Sequence, residues 1–349
     1  MSVQAPPRAV VLRSAGGGFG IRFGVRHALV VAALLAAALA VGVVSLGTGD
    51  FVVPLGDVVG ALLGQGDRRT NLVVLDWRLP RVLLALMLGA ALGAAGAIFQ
   101  SITRNPLGSP DVIGFDTGAY TGGLLVIITT GTGYLATASG ALLGGFATAV
   151  VVYLLAYRRG FHGFRLIIVG IGVAAMLASL NTWLILSAEL NVALAAAAWS
   201  SGSLNAVGWA QAVPAAAVLL VLWAVAAAMS RRLHLLELGD DAATALGVRT
   251  GRARLVLVVL GVALTATSVA AAGPIAFVAL AAPQLARRLS RSAGVTLAGA
   301  AAMGALLLTA SDYAAQRLFA PTQLPVGVVT VSVGGVYLIW LLITEARRR

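Results

Sequence analysis

Ten apolar stretches, separated by short segments rich in Gly, Pro and Arg, limit this chain more than any other feature. Eight are of span length: roughly residues 27–46, 82–101, 134–156, 166–186, 209–229, 255–272, 295–316 and 326–343. A membrane helix needs about 20 predominantly apolar residues, because only a helix satisfies its own backbone across the hydrocarbon. Two shorter runs remain, 112–130 and 275–289. The second, "IAFVALAAPQLARRL", is set apart from the preceding run by Gly273 and Pro274. Counting both predicts an all-α polytopic membrane protein with ten transmembrane helices. The composition excludes a soluble alternative. The chain is 60% hydrophobic and 10% charged, with mean hydropathy +0.97, whereas soluble domains carry about 25% charged residues.

The charge placement sets a direction. All 24 basic residues are arginine. With the N-terminus inside, 19 fall in cytoplasmic segments: Arg8, Arg13, Arg22, Arg26, Arg104, Arg158, Arg159, Arg165, Arg231, Arg232, Arg249, Arg252, Arg254, Arg287, Arg288, Arg291, Arg347, Arg348 and Arg349. Five fall outside: Arg68, Arg69, Arg78, Arg81 and Arg317. That bias follows the positive-inside rule, and dropping either short span would reverse the parity of the loops between them. The net charge of +12 is therefore a topology signal. A nucleic-acid surface would gather it on one soluble face.

The organisation is a cytoplasmic segment 1–26, a ten-span domain 27–343 containing a cytoplasmic loop at 230–254, and a cytoplasmic tail 344–349. The first apolar run lacks a small-residue cleavage site and is expected to be a span, not a removed signal. There is no cysteine, which excludes disulfides and thiolate chemistry, and His27, His162 and His234 are scattered. The longest non-membrane segments, near 47–80 and 230–254, are too short for a nucleotide-binding domain, and no GxxxxGK[ST] loop occurs. Gly89 with Gly93, and Gly140 with Gly144, have the small-xxx-small spacing that lets membrane helices approach closely. In a chain with 42 glycines such pairs also arise by chance.

The stretch "QSITRNPLGSPDVIGFDTGAY" (Gln100 to Tyr120) is polar and lies between two spans. Ser109, Pro110 and Asp111 have the order of a helix start: capping serine, proline in the first turn, then an acid. Gly114 and Gly118 follow on one face. Asp116 lies at the bilayer entrance, where a carboxylate is either functional or simply hydrated at interfacial depth.

With this stretch on view, the chain resembles the FecCD-type permeases, the membrane subunits of ABC importers for ferric siderophores, haem and vitamin B12. The resemblance is carried by "RLPR" (Arg78 to Arg81), "GAALGAAGAIFQ" (Gly89 to Gln100), "RNPLGSPDVIGFDTGA", "LHLLELGDDAATALGV" (Leu233 to Val248), "GPIAFVALAAPQLARRL" (Gly273 to Leu289) and "LPVGVVTVSVGG" (Leu324 to Gly335). It covers nearly everything from about residue 25, and the wording around Asn105 is most similar to the ferric enterobactin-type branch. The chain departs from the pattern at Ala276 and Ala279, where glycine is usual, at Gln284 for histidine and at Gln323 for glutamate.

The resemblance implies a type II ABC importer fold in a bacterial cytoplasmic (inner) membrane, and three sites. The first is an ATPase-coupling segment of Gly239, Asp240, Asp241, Ala242, Ala243, Leu246 and Gly247, in which Asp240 would cap a short helix and Gly247 would end it. The second is docking of a substrate-binding protein on Arg78, Arg81 and Arg317, with snorkelling at the interface as the alternative for each. The third is translocation or gating, for which Asn105, Pro106, Gly114, Asp116, Gly118, Asn181 and Thr182 are candidates, with the third, fifth and tenth spans on the pore side. Asp312 either pairs with Arg317 or bonds a neighbouring span. The implied partners are a second permease subunit (a like or unlike copy), two cytoplasmic ATPase subunits, and an extracytoplasmic binding lipoprotein or periplasmic protein. ATP and Mg would sit on the ATPase, with no cofactor and no catalytic site on this chain. The expected activity is uptake of an iron–siderophore complex. Haem or vitamin B12 import is the nearest alternative. An ion-gradient transporter is disfavoured by the shortage of titratable groups in the spans, and a membrane enzyme by the lack of clustered His, Asp, Glu or Cys.

Overall fold

Each apolar run of the sequence forms a helix. The computed structural model describes residues 9–13, 20–131, 133–157, 163–205 and 207–346; Arg8, Arg158, Arg159, His162, Arg347, Arg348 and Arg349 lie outside them. Two short strands, β1 (Ala9–Arg13) and β2 (Gly20–Gly24), pair antiparallel ahead of the first helix. The expected spans appear as α1 (Val25–Gly47), α4 (Leu79–Thr103), α5 (Phe115–Thr130), α6 (Tyr134–Ala156), α7 (Gly163–Ser187), α9 (Trp209–Glu237), α11 (Thr250–Ala272), α12 (Val278–Ser290), α13 (Leu297–Arg317) and α14 (Val326–Ala346). Among the described residues, seven helices are long and apolar enough to cross a membrane on those criteria alone.

Four features differ from expectation. The segment 47–80 is not a plain loop: it holds α2 (Leu55–Leu62), α3 (Arg68–Asn71) and a π-helical turn over Leu72–Arg78 that runs straight into α4. Pro80 lacks the N–H an α-turn would use there, and the wider turn closes instead with Leu79 N–H donating to the Val74 carbonyl. The segment 230–254 is mostly helix: α9 continues to Glu237, α10 spans Asp240–Ala245, and α11 opens at Thr250. A short helix, α8 (Leu190–Ser200), follows the fifth span unannounced. Finally, the eighth span is only half a helix. The 13 residues of α12 rise about 20 Å, too little for a hydrocarbon core of about 30 Å. The chain covers the remaining depth in the non-helical stretch from Gly273 to Phe277.

The centre consists of α4, α11 and α13, whose faces are largely buried, while α1, α7 and α9 stay on the periphery with most of their surface open. Leu29, Leu39, Leu154, Met176, Leu186 and Leu220 are among the large apolar side chains left exposed, as expected where lipid is the solvent. The two glycine pairs sit at helix crossings. A Cβ on Gly89 or Gly93 would meet the α13 backbone at Gly304 and Ala300, and one on Gly140 or Gly144 would meet the α5 backbone at Gly122 and Gly118. Phe99 and Phe115, both fully buried, meet in a tilted pair with ring centroids 5.1 Å apart between α4 and α5.

Contacts at the two ends of the bundle fit the alternating direction that the charges demand. At one end, Arg26 donates to the Leu289 carbonyl at 3.1 Å, and Arg104 meets Asp240. At the other, Trp209 Nε1 donates to the Leu75 carbonyl at 3.1 Å, and Arg81 meets Asp312.

Candidate functional site

The outer cluster is built on α4. Arg81 points inward, where its Nε donates to Asp312 Oδ2 at 2.9 Å and its Nη2 to Asp312 Oδ1 at 2.8 Å. Its remaining donors reach Asn205 Oδ1 at 2.8 Å and Gln323 Oε1 at 3.0 Å. The two ionic side chains are 13% and 3% exposed. Asp312 also accepts from Gln316 Nε2 at 2.8 Å. Of the readings open for Asp312, bonding to a neighbouring span is the one the structure shows, and pairing with Arg317 is not. The i,i+5 offset places Arg317 badly, whereas the α4–α13 crossing brings Arg81 directly onto the carboxylate.

Arg78 donates to two main-chain carbonyls, Leu46 in the last turn of α1 at 2.8 Å and Phe51 beyond it at 2.5 Å. Arg317 lies close enough for the two like charges to repel, with Asp50 offsetting. Of the three arginines named for docking, Arg81 is committed inside the fold, Arg78 braces a loop, and Arg317 stands partly exposed at the outer rim. Gln323 and Asn205 complete the cluster. Gln323 stands out in the sequence as a departure beside the outer arginines, whereas Asn205 carries no such signal, because its loop meets them only in the folded chain.

At mid-depth the break before α12 is the centre of a second arrangement. Phe277 has left-handed backbone (φ +70°) and its N–H donates to Asp111 Oδ2 at 3.1 Å. Its ring lies against Gly334 in the middle of α14, where any side chain would collide with it. Ser109, Pro110 and Asp111 therefore do not start a helix. They form a turn, Gly114 is the N-cap of α5 with φ +87°, and the Asp111 carboxylate serves α12 instead. Gly114 fits where Ala174 of α7 comes too close for a Cβ, and Gly118 likewise faces Thr148 of α6. Asn105 makes an Asx turn, its Oδ1 accepting from Leu107 N–H at 2.9 Å, with Pro106 inside it.

The side-chain bond recorded for Asp116 is local, to Thr117 N–H at 2.8 Å. Asn181 is buried on α7, and its Oδ1 has no donor among the described residues. Thr182 is exposed and bonded to its own helix through Ala178. These residues do not converge on one site. The departures from the family pattern acquire structural roles. Gln284 Nε2 donates to Gln100 Oε1 at 2.5 Å, and Gln100 Nε2 donates to the Leu280 carbonyl at 3.0 Å, which ties α12 to α4. Ala279 lies with its backbone against Gly96.

The inner arrangement centres on α10. Gly247 ends it with φ +82°, as its position predicted, but Asp240 is not the cap. Gly239 (φ +112°) holds that place, and the Asp240 carboxylate instead accepts from Arg104 Nη2 at 2.9 Å and, closer still, from Arg254 Nη2. Both arginines hold the carboxyl below its ordinary range, Arg254 most strongly. Ala243 is the buried side chain of α10, whereas Asp241, Ala242, Ala245 and Leu246 are exposed. The result is a small, mostly apolar knob on a charged footing.

Comparison with known proteins follows this geometry. The model of the FecCD transport family matches residues 33–344. The ferric enterobactin transport system permease protein FepG of Escherichia coli (strain K12) is 53% identical over 308 residues, which covers 88% of this chain and 93% of that protein. A probable siderophore transport system permease protein, YfhA of Bacillus subtilis (strain 168), is 36% identical and covers 92% and 98%. Among solved structures, a metal-chelate type ABC transporter in an inward-facing conformation superposes with a TM-score of 0.80 at 27% identity, over 91% of this chain and 99% of that one. The match runs through Arg78, Arg81 and Arg317, the short helix α12 and the knob of α10 alike, and on that extent the chain belongs to the FecCD transport family.

Proposed function

We propose that this chain is the transmembrane permease subunit of an ATP-binding-cassette importer that carries an iron–siderophore complex across the bacterial cytoplasmic membrane. The observation that carries the reading is the 53% identity with a ferric enterobactin permease along nearly the full length of both chains. The structure supports it with a knob at the cytoplasmic end, a helix broken at mid-depth, and an arginine-bearing outer rim. Broken helices beside a pathway are a recurring device of alternating access. The chain hydrolyses nothing in this scheme. ATP and Mg²⁺ belong to two cytoplasmic ATPase subunits, each receiving an α10 knob from one of two permease copies. An extracytoplasmic binding protein delivers the chelate to the outer rim, where Arg317 is the best placed of the three arginines for a partner carboxylate and Arg78 is next to it.

The test uses the permease co-expressed with its ATPase and reconstituted with ferric enterobactin and a loaded binding protein. Leu246→Asp puts a charge on the apolar knob. Burying it in a partner groove costs several kcal/mol unless it is paired. ATPase recovery and ATP-dependent uptake are expected to fall together while insertion is unchanged. Full recovery and normal uptake would remove α10 from the contact. Uptake of heme but not of the ferric chelate would overturn the substrate.

A further inference from the structure

The inner end holds a connection that contact with an ATPase alone does not require. Asp240 receives guanidinium groups from two other helices: Arg104, at the end of α4, and Arg254, in the first turns of α11. Arg254 is nearly buried, whereas Arg104 is half exposed. Arg104 also reaches the Leu236 carbonyl at 3.4 Å, and Ser101 Oγ donates to Glu237 Oε1 at 2.6 Å, so the end of α4 grips the whole α9–α10 corner. Since α10 packs through Ala243 alone, apolar burial does little to set its orientation. Charge-assisted bonds are roughly twice as strong as neutral ones and strongly directional, and here they decide it.

Arg104 itself has left-handed backbone (φ +50°), a region that side-chain-bearing residues enter sparingly. It opens the turn that leads through Asn105 to Asp111, and Asp111 holds the Phe277 N–H at the break in the eighth span. Gly108 is pressed against Thr103, so the turn is compact and poorly able to absorb a displacement. One short run of chain thus bonds to the coupling helix at one end and to the broken helix at the other.

We propose that Arg104 is a positioning residue: through Asp240 it ties the coupling helix to the 104–111 turn, and the turn passes the movement of α10 to the break at Phe277. This rests on the reading of α10 as the ATPase contact. The chain lacks cysteine, so spin labels can be placed without removing any. One pair joins Leu107 to Leu289, both exposed, and reports the turn against the end of α12. A second pair joins Thr244 to Leu289 and reports α10 itself. In the wild-type permease–ATPase complex, ATP is expected to shift both distance distributions.

In Arg104→Gln the Thr244 pair should still shift. The shifted fraction of the Leu107 pair should fall roughly threefold or more, within the range found for residues that carry coupling. Arg104→Lys, which keeps a charge near Asp240, should restore much of it. Asp240→Asn serves as the second variant if Arg104→Gln fails to accumulate in the membrane. An equal shift of the Leu107 pair in wild type and Arg104→Gln, or no shift of that pair in wild type, overturns the proposal while leaving the ATPase contact standing. Failure of any ATPase to co-purify with the wild-type chain overturns both.

Discussion

Arg81 illustrates how a residue type legible in sequence can have its role decided by geometry. A buried ion pair contributes little net stability, but removing one partner strands the other charge. Arg81→Ala is therefore expected to destabilise the permease by about 3–5 kcal/mol, read as a lowered thermal midpoint in detergent. The double change Arg81→Met with Asp312→Leu should recover much of that loss. An unchanged midpoint in Arg81→Ala would return Arg81 to the docking role. Asp240 behaves differently with pH. Its carboxyl is held below the ordinary value by the two arginines, so the clamp is fully formed above the unfolded value and dissolves only as pH falls through the lower folded one. ATPase recovery should accordingly show no Asp240-dependent change between pH 8 and about pH 5, well above the ordinary carboxylate range. A wild-type midpoint inside that window that disappears in Asp240→Asn would contradict the clamp.

Among the elements, the glycine crossings hold the centre together. Lipid gives no hydrophobic drive for helices to associate, so close backbone approach supplies the packing that apolar burial supplies in water. Gly93→Val would push a branched side chain into the Ala300 carbonyl, an overpacking that typically costs about 1–3 kcal/mol. Gly335→Ala adds a methyl group to open space on α14, and should be neutral or stabilising by up to about 1 kcal/mol through helix propensity. Thermal unfolding of the two variants side by side checks this, and equal midpoints would show that the α4–α13 crossing tolerates expansion. The half-length α12 was visible in the sequence only as a short run after Gly273 and Pro274. That α12 begins just after Phe277, and that Asp111 from the turn ahead of α5 accepts the Phe277 N–H, depended on which turn lies beside the break.

For the whole molecule, the charge parity predicts a ten-span topology, and the contacts at each end of the bundle fit it. Impermeant thiol labelling of single cysteines in intact spheroplasts tests it. Asp67→Cys should react from outside, and Leu107→Cys and Asp241→Cys should not. Leu107 is the informative position, because neighbouring Ser109 is fully buried and a cysteine there would be shielded on either side. Strong outside labelling at Leu107 would remove α5 as a span. The faces of α7 and α9 and one side of α10 lie open, and under the proposed function they are where lipid, a second permease and a cytoplasmic partner would sit.

Apolar run length and glycine spacing, read along the chain, located the helices and their close crossings, and arginine parity predicts the direction of each span. Each reflects a constraint that acts locally: hydrocarbon thickness, the asymmetry of insertion, and the absence of a Cβ. The short helix α10 was legible for the same reason, since Gly239 and Gly247 bracket it in sequence. Only the tertiary structure decided where the charges go. Arg81 meets Asp312 across 231 positions, Arg104 meets Asp240 across 136, and Asp111 caps Phe277 across 166. Inside the bundle, where water cannot hydrate them, and at its half-exposed inner end alike, such groups are held by whatever opposite charge or free N–H the packing of distant spans brings within reach, and nothing in the order of residues along the chain specifies which that will be.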